Sequence, residues 1–193
     1  MTTAPARLAV VLIGHGSPAT DTPPQLVGEL MSLEWRKGAG GHHHAERPAD
    51  DDSAAIHARM AELDTTIRRW QRHAGNDPYK AGLERLAAAL KPLLPTELFA
   101  VGYNEFCAPS IEEAIGGMIA QGATRILVIP TMLTPGGVHS EIDVPRTLVH
   151  LREHHPGVSI EYVWPFDLQQ VAALLATHVA RTAQAPPPAA PRP

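Results

Sequence analysis

Residues 125–145 read RILVIPTMLTPGGVHSEIDVP and carry the plainest structural signal in the chain. Arg125 to Ile129 is a short, continuous apolar run rich in β-branched residues. Such a run fits a strand covered on both faces, as in a parallel sheet. Pro130 stops the ladder because it has no N–H to donate. A loop with Pro135, Gly136 and Gly137 then delivers His139, Glu141 and Asp143, and Pro145 falls near the start of the next helix. Three polar groups therefore gather beyond the carboxyl end of a buried strand, where open α/β sheets bind ligands. The pattern occurs once more, where the apolar run Leu8 to Ile13 ends in Gly14-His15-Gly16-Ser17.

Outward from these two runs, strands and helices alternate. Thr22 to Trp35 places Leu26, Leu30 and Leu33 at helical spacing, with Pro23 and Pro24 in the first turn. Lys37 to Asp52 lacks any apolar period and reads as a mobile loop; it holds the run His42, His43, His44, a composition more often adventitious than metal-binding. Ser53 to His73 resumes as a helix with Ile56, Met60, Leu63, Ile67 and Trp70 on one stripe. A turn at Gly75 to Pro78 precedes a helix over Lys80 to Leu90 with Leu83, Leu86 and Leu90 inward. Leu98 to Val101 begins the second strand. Ser110 and Glu113 form a capping box for a helix that stops at Gly122. After the Arg125 strand come a helix over Val144 to His155, a strand over Val158 to Trp164, and a helix capped by Asp167 that carries Leu168, Val171, Leu174, Leu175 and Val179.

This order predicts a flavodoxin-like, three-layer α/β/α fold. Its four-stranded, mostly parallel sheet has order 2-1-3-4, with a helical insertion after strand 1. We expect one domain over residues 1–183, with the insertion at about 37–80, and a proline-rich disordered tail over 184–193. In this topology the switch point falls between the strands that end in His15 and His139. Adjacent strands lie about 4.8 Å apart, so the two imidazoles can converge.

Composition narrows the function classes. A formal charge of −4 argues against nucleic acid or an anionic membrane as partner. The N-terminal apolar stretch is too short to span a bilayer. Cys107 is the only cysteine and suits a reducing, cytoplasmic compartment; we read it as a small buried residue. Two neutral imidazoles suit a borderline divalent metal, and two nitrogens do not make a closed structural site. Glu105, just after the second strand, is a candidate base or a partner for a histidine. Asp143 is expected to cap the following helix, and Glu141 is either a base or a solvated loop charge.

Gly14-His15-Gly16-Ser17, Glu105-Phe106-Cys107-Ala108-Pro109-Ser110-Ile111-Glu112-Glu113-Ala114, the strand from Gln121 to Pro130, and His139 followed by Asp143-Val144-Pro145 together resemble the small sirohydrochlorin chelatases. The resemblance covers Leu8 to about Ser32 and Leu98 to about Ala180. It implies a chelatase that inserts Co²⁺, Fe²⁺ or Ni²⁺, as substrate, into a sirohydrochlorin-like tetrapyrrole, without an organic cofactor. It implies a homodimer with the tetrapyrrole between subunits, and metal ligation at His15 and His139. His15, His139, Glu105 and Glu141 are then the catalytic candidates, and Ser17, Gly136 and Gly137 the binding positions on the same loops. Pro18 and Ile142 stand where the family commonly has basic residues. Arg59, Arg68, Arg69 and Arg72 could supply that charge if their helix acts as a lid; a solvated structural helix is the plainer reading. Two other classes remain. One is a non-catalytic metal- or tetrapyrrole-binding protein of the same fold. The other is a histidine-dependent phosphatase, against which Ile13-Gly14 stands where that class usually has an arginine.

Overall fold

Leu8–Gly14 forms β1, and every residue after Leu8 in it is buried. The computed structural model describes residues 6–39 and 51–184. Three helices follow β1: α1 (Pro24–Ala39), α2 (Asp51–Arg68) and α3 (Pro78–Leu90). Then come β2 (Leu98–Tyr103), α4 (Ile111–Ala120), β3 (Arg125–Pro130), α5 (Val144–His154), β4 (Ser159–Tyr162) and α6 (Leu168–Gln184). The sheet has order β2-β1-β3-β4, as expected from the sequence, and every pairing is parallel.

Both faces of the sheet are covered, so the apolar run of β1 needs no alternation. Ala9, Val11 and Ile13 pack with Ile111, Ile115 and Met118 of α4 and with Val144, Leu148 and Leu151 of α5. Leu12 points the other way, to Leu83 and Ala87 of α3 and to Tyr103 and Cys107. A third cluster joins Leu30 of α1, Leu63 and Ile67 of α2, and Phe106 from the loop after β2. Burying one such aliphatic side chain contributes roughly 1.5–3 kcal/mol.

Local signals account for the element ends. The Ser110–Glu113 capping box is formed in both directions, and Gly122 takes a left-handed φ of 88° past the end of α4. The Asp77 side chain accepts from Lys80 N and caps α3, with Pro78 at its first position. Asp167 accepts from Gln169 N at 2.8 Å at the start of α6.

Several expectations shift. α2 ends at Arg68, not His73, because the Asn76 side chain takes over the backbone groups that follow. Its Nδ2 donates to Gln71 O at 2.9 Å, and its Oδ1 accepts from His73 N at 2.7 Å. In α3, Leu86 is 51% exposed and the smaller Ala87 takes the inward place beside Leu12 and Leu83; a 3.6-residue period allows either position. β4 is shorter than Val158 to Trp164. The loop expected from Lys37 to Asp52 gives up its ends to α1 and α2; its middle, with His42 to His44, lies outside the described residues. Gln184 belongs to α6, and the rest of the expected tail, 185–193, also lies outside them. Among the described residues no helix is long and apolar enough to cross a membrane.

Candidate metal centre

The carboxyl ends of β1, β2 and β3 meet at the switch point, and the loops beyond them stay bonded in register. Asn104 N donates to Gly14 O at 2.9 Å and Glu105 N to His15 O at 2.8 Å, so the β1–β2 ladder continues into both loops. On the other side Thr131 N donates to Ile13 O at 2.9 Å. Gly16 has φ 96°, a region that side chains rarely adopt, and a Cβ there would overlap the Glu105 carbonyl. Glycine thus lets the His15 loop lie directly against the Glu105 loop.

His15, Glu105 and His139 offer ligand atoms that all lie within 4.8 Å of one another, the only such group of three among the described residues. The two imidazole centroids are 4.5 Å apart, nearly perpendicular. Glu105 sits between them, with its carboxylate 3.9 Å from His15 Nε2 and 3.6 Å from His139 Nδ1. All three are partly exposed. An incoming ion can therefore reach donors that are already gathered.

Backbone and side-chain partners fix the tautomers. His15 Nδ1 is 2.7 Å from Gly16 O, which can only accept, so that nitrogen carries the proton and Nε2 keeps its lone pair. The His15 amide in turn donates to Tyr79 Oη at 2.8 Å. His139 Nδ1 is 2.7 Å from Asp143 Oδ2, and its proton on that side leaves Nε2 free. A carboxylate placed this way holds the ring of a ligating imidazole in one orientation. With Nδ1 protonated, the Asn104 carboxamide, 3.0 Å away, serves His139 best by turning its oxygen to it.

The expectation that Asp143 caps α5 is therefore corrected: it makes no side-chain cap bond. His139–Asp143 is a π-helical turn that runs straight into α5, and Asp143 itself has helical angles, φ −71° and ψ −52°. A residue already inside helical geometry has no terminus to cap, and its carboxylate reaches back one turn to His139. Ser140 is buried inside the turn, and its carbonyl accepts from Tyr162 Oη at 3.1 Å. Burial pushes the Tyr162 phenol up to about 12, which keeps it a donor.

The remaining candidates lie around this group. Glu141 is exposed, outside the cluster, and accepts from Gly136 N at 3.0 Å, closing the glycine loop on itself. Gly136 and Gly137 are exposed on that loop. Ser17 follows His15, and its carbonyl accepts from Arg72 at 2.8 Å and from the Cys107 thiol at 3.3 Å. Cys107 is fully buried, and burial pushes its thiol up, so it acts as a donor here.

Three of the four arginines, Arg59, Arg68 and Arg72, are engaged within the chain rather than free for the lid role. Arg59 pairs with Glu29 and Glu62. Arg68 binds Asp64 and donates to the carbonyls of Asn104 at 2.8 Å and Cys107 at 2.9 Å. Arg72 pairs with buried Asp77 and donates to Ser17 O, Ile67 O and Phe106 O. Apart from Ile67 O in α2, these carbonyls belong to the loops that carry His15 and Glu105, and Arg72, bonded to both, clamps the two loops together. Sequence reasoning missed Asn104 and Tyr79, and singled out Arg68 and Arg72 without the backbone carbonyls they hold. The i,i+4 spacing of His139 and Asp143 was the one signal available for the Asp143 role.

The comparisons with known proteins converge on one group. The family model CbiX matches residues 74–182. The chain is 36% identical over 84 residues to the sirohydrochlorin cobaltochelatase of Methanocaldococcus jannaschii, covering 43% of this chain and 58% of that protein. It is 31% identical over 96 residues to the sirohydrochlorin ferrochelatase of Priestia megaterium, covering 50% of this chain and 34% of that one. The chain thus spans less than two thirds of either relative. A solved structure of the sirohydrochlorin chelatase SirB from Bacillus subtilis subspecies spizizenii in complex with cobalt is 16% identical with a TM-score of 0.48, covering 90% of this chain and 50% of that chain.

Proposed function

The chain belongs to the CbiX family, and from that premise we propose that it is a metal chelatase that inserts Co²⁺, Fe²⁺ or Ni²⁺ into a sirohydrochlorin-like tetrapyrrole. The observation that carries this reading is the gathering of His15, Glu105 and His139 within 4.8 Å at the open edge of the sheet. Curated relatives named for cobalt and iron insertion support the metal class.

His15 and His139 hold the substrate ion through ring nitrogens, and Glu105 contributes an anionic oxygen. Two imidazoles and one carboxylate bind a borderline ion while leaving positions open for the incoming pyrrole nitrogens. Insertion of M²⁺ releases two pyrrole protons, so the metallated macrocycle gains no charge. Glu105, already beside both imidazoles, is the nearest base for the first proton, and a histidine freed as the ion departs can take the second. Glu141, held to Gly136, is a second carboxylate on the same rim. Exposed Leu133, Val138 and Ile142 border the site and suit the flat apolar face of a macrocycle. Gly136, Gly137 and Ser17 offer backbone and hydroxyl groups along the same loops.

A homodimer fits the surface. α6 buries none of its residues, and Leu168, Leu174, Leu175 and Val179 are all more than half exposed. A second copy is the partner we assign to this helix, in an isologous contact. The domain reading of one unit with a helical excursion after β1 follows the same logic, and the buried, protonated Cys107 thiol fits a reducing cytoplasmic setting.

The test is an absorbance titration of sirohydrochlorin with Co²⁺, Ni²⁺ and Fe²⁺ in the presence of the protein. We expect catalytic spectral conversion that His15→Ala and His139→Ala each abolish, with the far-UV circular dichroism unchanged. Binding of the macrocycle without turnover would assign the chain to the non-catalytic class. Hydrolysis of a phosphate ester in the same preparation would favour the phosphatase class.

A further inference from the structure

Away from the sheet edge, a second pair of imidazoles lies side by side. α5 carries His150 and His154 one turn apart, so both lie on one side of the helix. Both are exposed, with ring centroids 4.1 Å apart and planes at 49°. His154 Nδ1 lies 2.8 Å from His150 O. That oxygen can only accept, so Nδ1 holds the proton and Nε2 keeps a lone pair for a ligand.

Three further features suit a cation here. The opposite side of α5 is anchored, since Val144, Leu148 and Leu151 are buried in the sheet–helix core. The pair stands at or next to the last turn of the helix, where the backbone dipole favours positive charge. Neither imidazole is engaged by a carboxylate in the described structure, and the neighbouring Arg152 turns its Nε away to Ile160 O at 2.8 Å. Two histidines at i,i+4 on a helix are a recognised chelating arrangement.

We propose that His150 and His154 form a second, exchangeable site for a divalent transition metal, separate from the His15, Glu105 and His139 group. Two imidazoles with water in the other positions select borderline ions, binding Ni²⁺ or Cu²⁺ more tightly than Co²⁺. Such a site has no closed shell and releases its ion readily. It stands at the far end of the helix whose entry residue, Asp143, orients His139, about 16 Å of helix away. The site does not depend on the chelatase reading, because it requires only this helix.

Equilibrium dialysis against Ni²⁺ tests it in the full-length chain. All proteins carry His42→Ala, His43→Ala and His44→Ala, which removes that run from the count. The parent should bind two Ni²⁺ per chain. His150→Ala/His154→Ala should bind one, and His15→Ala/His139→Ala should also bind one, at the other place. In the latter variant, paramagnetic Ni²⁺ should broaden the His150 and His154 ring resonances. An unchanged count and affinity in His150→Ala/His154→Ala would overturn the proposal, as would unbroadened ring resonances. Loss of binding only on replacing His15 and His139 would leave the chelatase centre intact and remove the second site.

Discussion

Replacing Arg72 with methionine removes the most deeply placed cation among the ion pairs of the described structure. The Arg72 side chain is 6% exposed and its partner Asp77 1%. The guanidinium also donates to Ser17 O at 2.8 Å and Phe106 O at 2.6 Å, one on each of the loops that carry His15 and Glu105. Removing one member of a buried pair leaves the other charge uncompensated and costs about 3–5 kcal/mol. For a chain of this size each kcal/mol moves Tm by roughly 2–4 °C, so the variant should melt about 6–20 °C lower. Such a loss is a large part of a total stability of roughly 5–15 kcal/mol. Differential scanning calorimetry gives the shift, and a Co²⁺ titration below the melting range gives the effect on the site. Arg72→Lys should recover part of the stability through Asp77 but not the metal affinity, since one ammonium cannot span both carbonyls. Arg72→Met/Asp77→Asn, which removes both charges and keeps an acceptor to cap α3, should recover part of the stability without the affinity. A methionine variant that melts within about 2 °C of the parent and binds Co²⁺ equally would show that the clamp is ornamental.

Three other outcomes follow from the same geometry. Gly16→Ala forces a strained φ, worth about 1–3 kcal/mol, and pushes a methyl into the Glu105 carbonyl; urea unfolding should show the loss and Co²⁺ binding should fail, and normal binding would contradict the close approach. Asp143→Ala leaves the His139 tautomer unset and should weaken metal binding about 10–100-fold with little change in Tm, as read by calorimetric titration; equal affinity would return Asp143 to a passive role. Asn76 holds the Asp21 carboxyl below its ordinary value, and Arg59 and Arg125 do the same for Glu29 and Glu161. A carboxyl depressed in the folded state stabilises above its unfolded value, 3.8 or 4.5 here, and that contribution is lost as pH falls through the folded value. Tm should therefore decline below about pH 4.5, and a flat profile down to about pH 3 would refute the assignment.

What the sequence made legible was whatever depends on near neighbours. The apolar runs at Leu8 and Arg125 mark strands because burial on both faces removes any need for alternation. The Ser110 capping box is complete within four residues. The placing of His15 beside His139 followed from topology, since strand order alone brings those two loops together. Leu86 was misjudged because 83, 86, 90 and 83, 87, 90 both fit a 3.6-residue turn, and apolar size favoured the leucine over the small Ala87 that the structure buries. Asp143 was misjudged because the rule for caps presumes a helix start, and a π turn had already begun the helix at His139. The arginines of and after α2 looked like a free cationic face. Arg68 and Arg72, besides their nearby acidic partners, donate to backbone carbonyls more than 30 positions away in the chain, which no side-chain pattern reveals.

The central position of β1 bears on how the chain is made. Its register pairs Leu8 with Arg125 and Ala9 with Leu98, so both neighbours lie far downstream. A ribosome adds about 5–20 residues per second, so β1 waits roughly 6–23 s after its synthesis before β3 exists. Until β2 is made both edges of Leu8 to Ile13 are open, and one edge stays open until β3 follows. Synthesis rate and holdase supply, more than the stability of the finished sheet, should then govern the yield of native protein. Slowing elongation lengthens the exposure, whereas lowering temperature also weakens the apolar attraction that would trap it.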